Sequence, residues 1–415
     1  MMAGEKTRGD QLTLELTDMA HGGEAIGRHE GRVVFVPYAI AGEKVRVEIV
    51  QDRGSFARAR LMEVITPSTA RANPPCPHFG RCGGCHWQHI AYPAQLDFKR
   101  QVLAGQLRRI ASLQDVEVLP TMAAADPWAY RNHVQFHATE EGRLGFMATR
   151  SHDVVPVERC LIMHPLLQDL FDIMELELPG LRRFSLRAGI RTGERMIVFE
   201  MADDQPPEVE VNLPVSCTLL LSDGTPVTLL GSSHIHEILL ERLYQLSATS
   251  FFQVNTLQAE QLVQHVCSHV PAGVDELVDA YCGVGTFSVA LAPKAGHIVG
   301  IESSIAALGD ARVNISGMGN IDLLDGSVED ILPSLSSHAA VVVLDPPREG
   351  LAPRVTASLL QLAPKRIIYV SCDPATLARD LKDLLTGGYV LVSVQPVDMF
   401  PQTYHLETVV ILDLQ

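Results

Sequence analysis

The residues with the clearest potential for chemistry lie where a short strand pattern gives way to a helix pattern. Residues Ile367 to Val370 are β-branched or aromatic, and Pro374 opens a helical run, so Cys372 is predicted on the turn between the two elements. Ligands of open α/β sheets bind outside the carboxyl ends of the strands, and a nearby helix N-terminus favours a thiolate over a thiol. Cys372 is therefore a candidate nucleophile, and the alternative is a small buried hydrophobe.

A carboxylate near the end of the chain could serve the same turn. The segment His405-Leu-Glu407-Thr stands where a final hairpin strand is predicted to begin. Because that strand would return along the sheet, Glu407 can point toward the strand ends where Cys372 lies. A positioned carboxylate beside a thiol is a candidate general base, and the alternative is an exposed glutamate at a strand start.

A nucleotide-binding pattern lies earlier in the chain. Asp279-Ala-Tyr-Cys-Gly-Val-Gly285 follows one predicted strand, and the next strand ends in Glu302. The Gly-x-Gly turn lets a ligand approach the backbone, Asp279 would orient the loop, and Glu302 could accept both ribose hydroxyls. No third glycine follows, so a ligand without a pyrophosphate is favoured. The pattern therefore indicates S-adenosylmethionine (SAM) rather than NAD.

Two further stretches are predicted at the same edge of the sheet. Asp325-Gly-Ser327 would lie near the adenine of SAM. A buried apolar strand stops at Asp345-Pro-Pro-Arg348, and this places a carboxylate and a rigid turn over the methyl donor. Asp-Pro-Pro also occurs in amino-methylating enzymes, where an aromatic residue follows. Here Arg348 follows, so the aromatic platform for a flipped adenine is missing.

Three cysteines in a loop rich in Gly and Pro indicate a metal site. The loop supplies Cys76, Cys82 and Cys85, and Cys160 is the natural fourth ligand. Four thiolates suit zinc or an iron–sulfur cluster. The cysteine spacing differs from that of paired Cys-x-x-Cys hairpins, and this difference favours a [4Fe–4S] cluster. Zinc would be favoured if the neighbouring histidines were ligands: His78, His86 and His89.

The elements around these residues suggest three domains. Residues 1–66 contain short strands at regular spacing, which predict an OB-type barrel. Residues 67–245 are predicted to form a central β-rich domain around the cysteine loop, and residues 246–415 alternate strands and helices as a doubly wound sheet does. Basic residues of the first part could contact phosphates or form a solvated face: Lys44, Arg46, Arg53, Arg58, Arg60 and Arg71.

Local patterns add detail to the later domains. The stretch from Tyr92 to Ile110 is predicted to be an amphipathic helix with Lys99 on its outer side, and Asn255 is a predicted N-cap. Arg131, beside the start of a predicted hairpin, could contact RNA or decorate an edge strand.

Composition excludes a membrane protein and a disulfide framework. The 415 residues are long for a single core, carry a formal net charge of −16, and include eight cysteines. Residues 1–160 hold 19 Lys and Arg against 18 Asp and Glu, so the acid is concentrated in the remainder, with 14 against 31. The first residues contain no apolar run, and we expect a cytoplasmic monomer that does not bind membranes.

Together these motifs resemble the RNA 5-methyluridine (uracil-C5) methyltransferases, and within that family most closely the members that act on large-subunit ribosomal RNA. The first domain resembles the TRAM domain, an RNA-binding module, through Gly-Gly-Glu-Ala-Ile-Gly-Arg. Ser-Phe-Phe-Gln-Val-Asn, Ser-Cys-Asp-Pro-x-Thr-Leu-Ala-Arg-Asp and His-x-Glu-Thr carry the rest of the resemblance. We expect tRNA-directed relatives to lack the TRAM domain and the cluster, which favours ribosomal RNA over tRNA.

The resemblance implies an α/β fold: a Rossmann-like SAM-dependent methyltransferase domain with an N-terminal TRAM barrel and a central β-rich iron–sulfur domain. It implies Cys372 as the nucleophile that adds to C6 of the flipped uracil, and Glu407 as the base that removes the C5 proton. It implies SAM contacts at Gln253, Tyr281, Thr286, Glu302, Ser327 and Asp345. It implies a [4Fe–4S] cluster held by Cys76, Cys82, Cys85 and Cys160.

Three other functions are consistent with parts of this sequence. A tRNA uridine-C5 methyltransferase would use the same chemistry on another RNA. A SAM-dependent amino-methyltransferase acting on nucleic acid would need the donor site but not Cys372. A non-catalytic RNA-binding protein with a structural metal site would transfer no methyl group.

Overall fold

The N-terminal strands close into a small barrel. The computed structural model describes residues 9–149, 151–174, 179–208, 210, 212–335 and 339–415. Five strands pair in the order β1-β2-β3-β5-β4. They are β1 (Gln11–Met19), β2 (Ala25–His29), β3 (Arg32–Val36), β4 (Lys44–Asp52) and β5 (Phe56–Thr66). Alternate residues of β1 and β4 are buried, because successive side chains of a strand point to opposite faces. The predicted small barrel is confirmed.

Helix α1 (Tyr92–Ile110) lies between the barrel and the last domain. Its Phe98 and Val102 pack against the barrel core, and its Leu103 and Leu107 belong to the core of the last domain. The helix has the predicted bounds because Pro93 in its first turn and the apolar spacing are local signals.

Lys99 of α1 does not lie on an exposed face. Its side chain is fully buried, and its ammonium donates to the carboxylate of Asp398 and, at 3.1 Å, to the carbonyl of Phe400. The prediction of an outer Lys99 is wrong because α1 covers two cores, and the side that faces the last domain carries this ion pair.

The central domain is a seven-stranded sheet in the order β12-β11-β10-β9-β6-β7-β8. Its strands are β6 (His133–Ala138), β7 (Leu144–Met147), β8 (Val154–Pro156), β9 (Leu181–Ala188), β10 (Arg195–Met201), β11 (Ser216–Leu220) and β12 (Pro226–Leu230), with helix α2 (Pro165–Asp172) on one face. Phe136, Phe184 and Phe199 are buried at its centre. A separate hairpin of β13 (His234–Leu239) and β14 (Arg242–Ser247) leads to the last domain.

The last domain is a second seven-stranded sheet, in the order β17-β16-β15-β18-β19-β21-β20. Its strands are β15 (Val274–Ala280), β16 (Ala295–Glu302), β17 (Ile321–Asp325), β18 (Val341–Leu344), β19 (Arg366–Ser371), β20 (Tyr389–Val397) and β21 (Glu407–Leu414). Its helices are α3 (Thr256–His269), α4 (Thr286–Leu291), α5 (Ile305–Asn314), α6 (Val328–Ile331), α7 (Pro353–Leu362) and α8 (Pro374–Thr386). The first five strands are parallel, and β21 is antiparallel to both neighbours.

The registers bring the chemically interesting residues to one edge. Ala280 pairs with Leu344 and Ile301, and Leu344 pairs with Tyr369, so the carboxyl ends of the four central strands lie side by side. Ser371 pairs with Thr408, which brings the start of β21 to the same edge. Ligands of such sheets bind at this edge. No helix in the described ranges is long and apolar enough to cross a membrane.

Candidate active site

Cys372 lies on a turn that is held by its neighbours. Asp373 is the N-cap of α8, and its Oδ1 accepts the N–H groups of Ala375 and Thr376, each at 2.9 Å. The Ser371 hydroxyl donates to the Asp373 carbonyl at 3.1 Å. The Cys372 thiol is half-buried between the end of β19 and this cap, as the sequence pattern predicts.

The electrostatic environment of Cys372 differs from the expectation. Burial, followed by the carboxylates of Glu407 and Asp345, raises the pKa of the Cys372 thiol to about 12, and Arg348 opposes this shift. Burial thus outweighs the lowering expected from the α8 N-terminus, where Asp373 already accepts two N–H groups.

Glu407 is the first residue of β21 and is 3 % exposed. The pairing of Ser371 with Thr408 places it next to Cys372 at the strand ends. Burial and the neighbouring Asp345 raise the pKa of Glu407 well above its usual value, although Arg348 opposes this. Both causes favour the protonated form of the Glu407 carboxyl in the ligand-free protein.

Asp345 and Asp279 extend this acidic edge. Burial and the charge of Asp279 raise the pKa of Asp345 to about 7. Asp279 is fully buried, its Oδ2 accepts from the Ser288 hydroxyl at 2.5 Å, and burial raises its pKa to about 7 as well. Its Oδ1 has no hydrogen-bond partner among the described residues. Such an edge is complementary to a ligand that brings positive charge.

The turn after β15 is shaped for close approach of a ligand. Tyr281 adopts φ 64°, and Gly285, at φ 83°, caps α4 in a left-handed conformation that glycine accepts without strain. Glu302 accepts the Gly283 N–H at 2.9 Å and the Ser304 N–H at 2.6 Å. These bonds fix the Glu302 carboxylate at the end of β16, where the predicted ribose hydroxyls would lie.

Of the other predicted SAM contacts, Thr286 and Ser327 lie at the starts of the helices that follow β15 and β17. Gln253 precedes α3, which Asn255 caps as predicted, and Thr286 is the first residue of α4. The Ser327 hydroxyl caps α6, because it accepts the Asp330 N–H at 3.2 Å and donates to the Asp330 carboxylate at 2.8 Å. This cap is a structural role for Ser327 that the sequence analysis does not include.

Three groups near Cys372 are missed by the sequence analysis. Arg348 faces both Cys372 and Glu407, and its carbonyl accepts from the Thr376 hydroxyl at 3.0 Å. Asp373 could have been recognised, since Asp before Pro at a helix start is an N-cap pattern. His21 of the barrel lies 3.0 Å from Asp373 and is 352 positions away in the chain, so no local pattern reveals it.

The four predicted metal ligands line one cavity of about 770 Å³: Cys76, Cys82, Cys85 and Cys160. Cys82 Sγ accepts the Gly84 N–H at 3.4 Å, Cys85 accepts from the Gln88 side chain, and Cys160 accepts from two backbone N–H groups. Burial raises the pKa of Cys85 to about 12.

The structure does not establish the iron–sulfur domain. Among the residues it describes, no group of three or more His, Cys, Asp or Glu side chains is arranged to hold a metal ion. Arg131 lines the cysteine cavity and faces Cys82 and Cys160, and the strand that follows it, β6, is not an edge strand.

The predicted basic cluster of the barrel is largely neutralised. Arg58 pairs with Glu24, and Arg71 donates to both oxygens of the buried Glu43. Two exposed pairs join neighbouring strands: Arg46 with Glu63 and Arg60 with Glu48. These ion pairs favour a structural role for the cluster over a dedicated phosphate-contacting face.

Comparisons with known proteins agree with this geometry. The TRAM domain family matches residues 5–62, and the tRNA (Uracil-5-)-methyltransferase family matches residues 235–415. An uncharacterized RNA methyltransferase of Thermosynechococcus vestitus is 35% identical over 98% of both chains. Another, of Listeria innocua, is 37% identical over 97% of this chain and 98% of its own.

A solved structure has a similar fold over nearly the whole chain. It is the Pyrococcus abyssi tRNA (uracil-54, C5)-methyltransferase in complex with S-adenosyl-L-homocysteine, with a TM-score of 0.78 and 26% identity, covering 97% of this chain and 100% of that one. The matched families, the relatives and the residues gathered at the sheet edge lead to one conclusion. The chain belongs to the SAM-dependent RNA uracil-C5 methyltransferase family and carries an N-terminal TRAM domain.

Proposed function

We propose that this protein transfers a methyl group from SAM to C5 of a uridine in RNA, through a covalent bond between Cys372 and C6 of the base. The observation that carries the proposal is the pairing of Ser371 with Thr408, which sets Cys372 beside Glu407 at the edge that also holds the nucleotide-binding turn. A thiol beside a buried carboxyl group is the pair that addition and elimination at a pyrimidine require.

The two side chains have successive roles. C5 of uracil is a weak carbon nucleophile, so the Cys372 thiolate first forms a bond to C6 and pushes the electron pair into an enolate. When bound, SAM supplies an electrophilic methyl group, which C5 takes. The Glu407 carboxylate then accepts the C5 proton, the C6–S bond breaks, and Cys372 is restored with the methylated base as product.

Both groups act in their deprotonated forms, as the Cys372 thiolate and the Glu407 carboxylate. In the ligand-free protein the pKa of Cys372 is raised to about 12, and that of Glu407 is also raised, because burial and mutual repulsion disfavour three nearby negative charges. A cationic sulfonium at this edge would offset that repulsion and lower the pKa of all three groups. The site would thus become reactive only when the donor is present.

The SAM contacts proposed are Gln253, Tyr281, Thr286, Glu302, Ser327 and Asp345. Glu302 has the clearest role, since its carboxylate is already oriented by backbone N–H groups and retains acceptor capacity for ribose hydroxyls. Asp345 would face the positive charge of the donor, which suits a carboxylate whose pKa is raised to about 7 without it.

We also propose that Cys76, Cys82, Cys85 and Cys160 hold a [4Fe–4S] cluster. A single zinc ion needs its thiolates within ~4 Å of one another, because each Zn–S bond is about 2.3 Å. A four-iron cluster binds each thiolate through a different iron and so spans a wider site, and all four thiols line one cavity. Hydrogen bonds to the sulfurs and the nearby Arg131 cation would stabilise the anionic cluster.

The RNA would enter along the groove between the barrel and α1. This groove, of about 810 Å³, is lined by the Arg58–Glu24 ion pair and by three further arginines against one carboxylate: Arg28, Arg108 and Arg109, with Asp18. Phe35 and Phe56 lie at its wall, with ring centroids 5.8 Å apart, and offer faces on which unpaired bases can stack. In a chain of net charge −16, this local excess of arginine is the better RNA-contacting surface.

Large-subunit (23S) ribosomal RNA is our first candidate substrate, on the strength of the combined TRAM, cysteine and catalytic motifs. tRNA is the second, because the similar Pyrococcus abyssi enzyme, described as acting on tRNA, is matched over nearly the whole chain. That match contradicts the expectation that tRNA-directed relatives lack the N-terminal part. The N-terminal domains therefore do not decide between the two substrates.

The test is methyl transfer from labelled SAM to unmodified 23S rRNA and tRNA transcripts, followed by mapping of the product. We expect 5-methyluridine at a defined uridine of 23S rRNA. Label confined to tRNA would support the second candidate. Label in an exocyclic amino group, or in no RNA at all, would overturn the proposal.

A further inference from the structure

The barrel loop between β1 and β2 reaches the catalytic turn of the last domain. His21 Nε2 lies 3.0 Å from Oδ2 of Asp373, the residue that follows Cys372. The other Asp373 oxygen, Oδ1, accepts the N–H groups of Ala375 and Thr376. One carboxylate oxygen thus caps α8, and the other is held by the barrel.

The same loop contacts the segment that leads to Glu407. Gly23 adopts φ 83°, and a Cβ atom on it would lie 2.7 Å from the ring of Tyr404, three residues before Glu407. The Gly23 carbonyl also accepts from Trp87 Nε1 at 2.9 Å, and the Trp87 N–H donates to the Gln402 carbonyl at 3.0 Å. The loop therefore contacts sequence neighbours of both members of the proposed catalytic pair: Asp373, next to Cys372, and Tyr404, three residues before Glu407.

The loop is firmly fixed to the barrel. The Ala20 N–H donates to the Glu24 carbonyl at 2.7 Å, and the Gly23 N–H donates to the Ala20 carbonyl at 2.9 Å. The Glu24 carboxylate is buried and pairs with Arg58 of β5. Because its base is anchored in this way, His21 presents its ring to Asp373 from a rigid support.

We propose that His21 is a positioning residue for Cys372, and that the TRAM barrel completes the methyltransferase active site instead of serving only to bind RNA. The inference rests on the proposed function. The His21 ring holds the Asp373 carboxylate in the orientation that caps α8, and this fixes the turn on which the thiol lies. Without His21, Asp373 can rotate toward the thiol, and the turn loses one of its anchors.

The charges that face the turn sharpen this expectation. Cys372 is surrounded by Glu407, Asp345, Asp373 and Arg348. Of these, Asp373 is the one that the barrel contacts, through His21. Removing the His21 ring takes the histidine partner away from Oδ2 of Asp373 and leaves more of the Asp373 negative charge facing the thiol, which further disfavours the thiolate.

The experiment compares His21→Ala, His21→Gln and the control His29→Ala in the full-length protein. His29 lies on β2 of the same barrel and pairs with Glu30, away from the turn. Initial rates of methyl transfer to RNA give kcat and KM, and RNA containing 5-fluorouridine reports the rate of covalent adduct formation. SAM affinity and Tm are measured for every variant.

We expect His21→Ala to lower kcat and the adduct rate by about 10²-fold, because a small displacement of a reacting group has effects of this size. KM for RNA, SAM affinity and the rate of His29→Ala should stay within about twofold. His21→Gln should recover most of the rate, since its amide can donate to Asp373.

A loss that appears only in KM for RNA would overturn the inference and make His21 an RNA contact. An unchanged kcat in His21→Ala, or a failure of His21→Gln to recover the rate, would also overturn it. A wild-type protein that methylates no RNA is a failure of the proposed function, which this design separates from failure of the inference.

Discussion

Cysteine thiols occupy two contrasting environments in this protein. The sulfurs of the cysteine cavity accept hydrogen bonds from backbone and amide N–H groups, and Arg131 lies close to two of them. Cys372 instead faces the carboxyl groups of Glu407, Asp345 and Asp373, with Arg348 as the opposing cation. Burial raises the pKa of the Cys82, Cys85 and Cys160 thiols in the cavity and of the Cys372 thiol at the turn.

The difference lies in what would turn each thiol into a thiolate. In the cavity the protein itself supplies hydrogen-bond donors to the sulfurs. Such donors suit thiolates that stay bound to a metal centre. At the catalytic turn the protein supplies further negative charge, which suits a thiol that is kept neutral until a cationic donor arrives. We propose that one environment serves lasting coordination and the other serves activation by the donor.

The largest effect is expected from Cys372→Ala. Methyl transfer should fall by about 10⁴-fold or more, because nothing adds to C6 and C5 never becomes nucleophilic. Binding of SAM and RNA, and the iron content, should be retained. Cys267→Ala is the matched control, since this half-buried thiol on α3 lies apart from both environments. C5 methylation by Cys372→Ala would rule out the covalent mechanism.

Loss of a thiol from the cysteine cavity should remove the iron, which Cys372→Ala is expected to retain. Protein isolated without air is expected to carry about four irons with labile sulfide per chain, and Cys85→Ser should lose both. Cys267→Ser, treated in the same way, should keep them. One equivalent of zinc without sulfide in the wild-type protein would contradict the cluster assignment.

The structural features that could be predicted from the sequence are those set by residues close together in the chain. The bounds of α1 and the Asn255 N-cap follow from spacing and capping patterns within a few residues. The turn that carries Cys372 is also local, because strand, turn and helix follow one another in the chain.

What the sequence does not predict depends on distant partners. The burial of Lys99 requires Asp398, 299 positions away, and the His21–Asp373 contact joins the first domain to the last. The pairing of Arg60 with Glu48 requires the register of β4 against β5, which no composition count contains. The raised pKa of Cys372 likewise depends on the return of β21 beside β19.

Alkylation of Cys372 measures its activation by the donor. Because its pKa is raised to about 12 without ligand, the thiolate fraction and the alkylation rate should rise about tenfold per pH unit from pH 7 to 10. SAM should increase the rate at pH 8 by at least about tenfold over S-adenosylhomocysteine, which has no sulfonium charge. Peptide mass spectrometry separates Cys372 from the other thiols. Equal rates with the two ligands would contradict activation by charge.

The smallest effect concerns the salt dependence of RNA binding, compared between the arginines of the groove and the ion-paired arginines of the barrel. Replacing Arg28, Arg108 and Arg109 by alanine should reduce the slope of log K against log salt by about 2, since each lost phosphate contact removes ~0.7 for a single strand. Replacing Arg46 and Arg60, which pair with barrel carboxylates, should change it by less than about 0.5. Equal slopes for both variants would contradict the proposed groove.

The central claim is that Cys372 and Glu407 act in succession on one base, and Glu407→Gln tests it most directly. Glutamine has nearly the same shape as the buried Glu407 side chain and carries no charge, so the fold should be preserved. With labelled SAM and RNA, addition and methyl transfer should proceed while removal of the C5 proton fails. The account predicts a denaturant-stable protein–RNA band that carries the methyl label. Normal turnover by Glu407→Gln, with no trapped band, would show that another group is the base and would contradict the account.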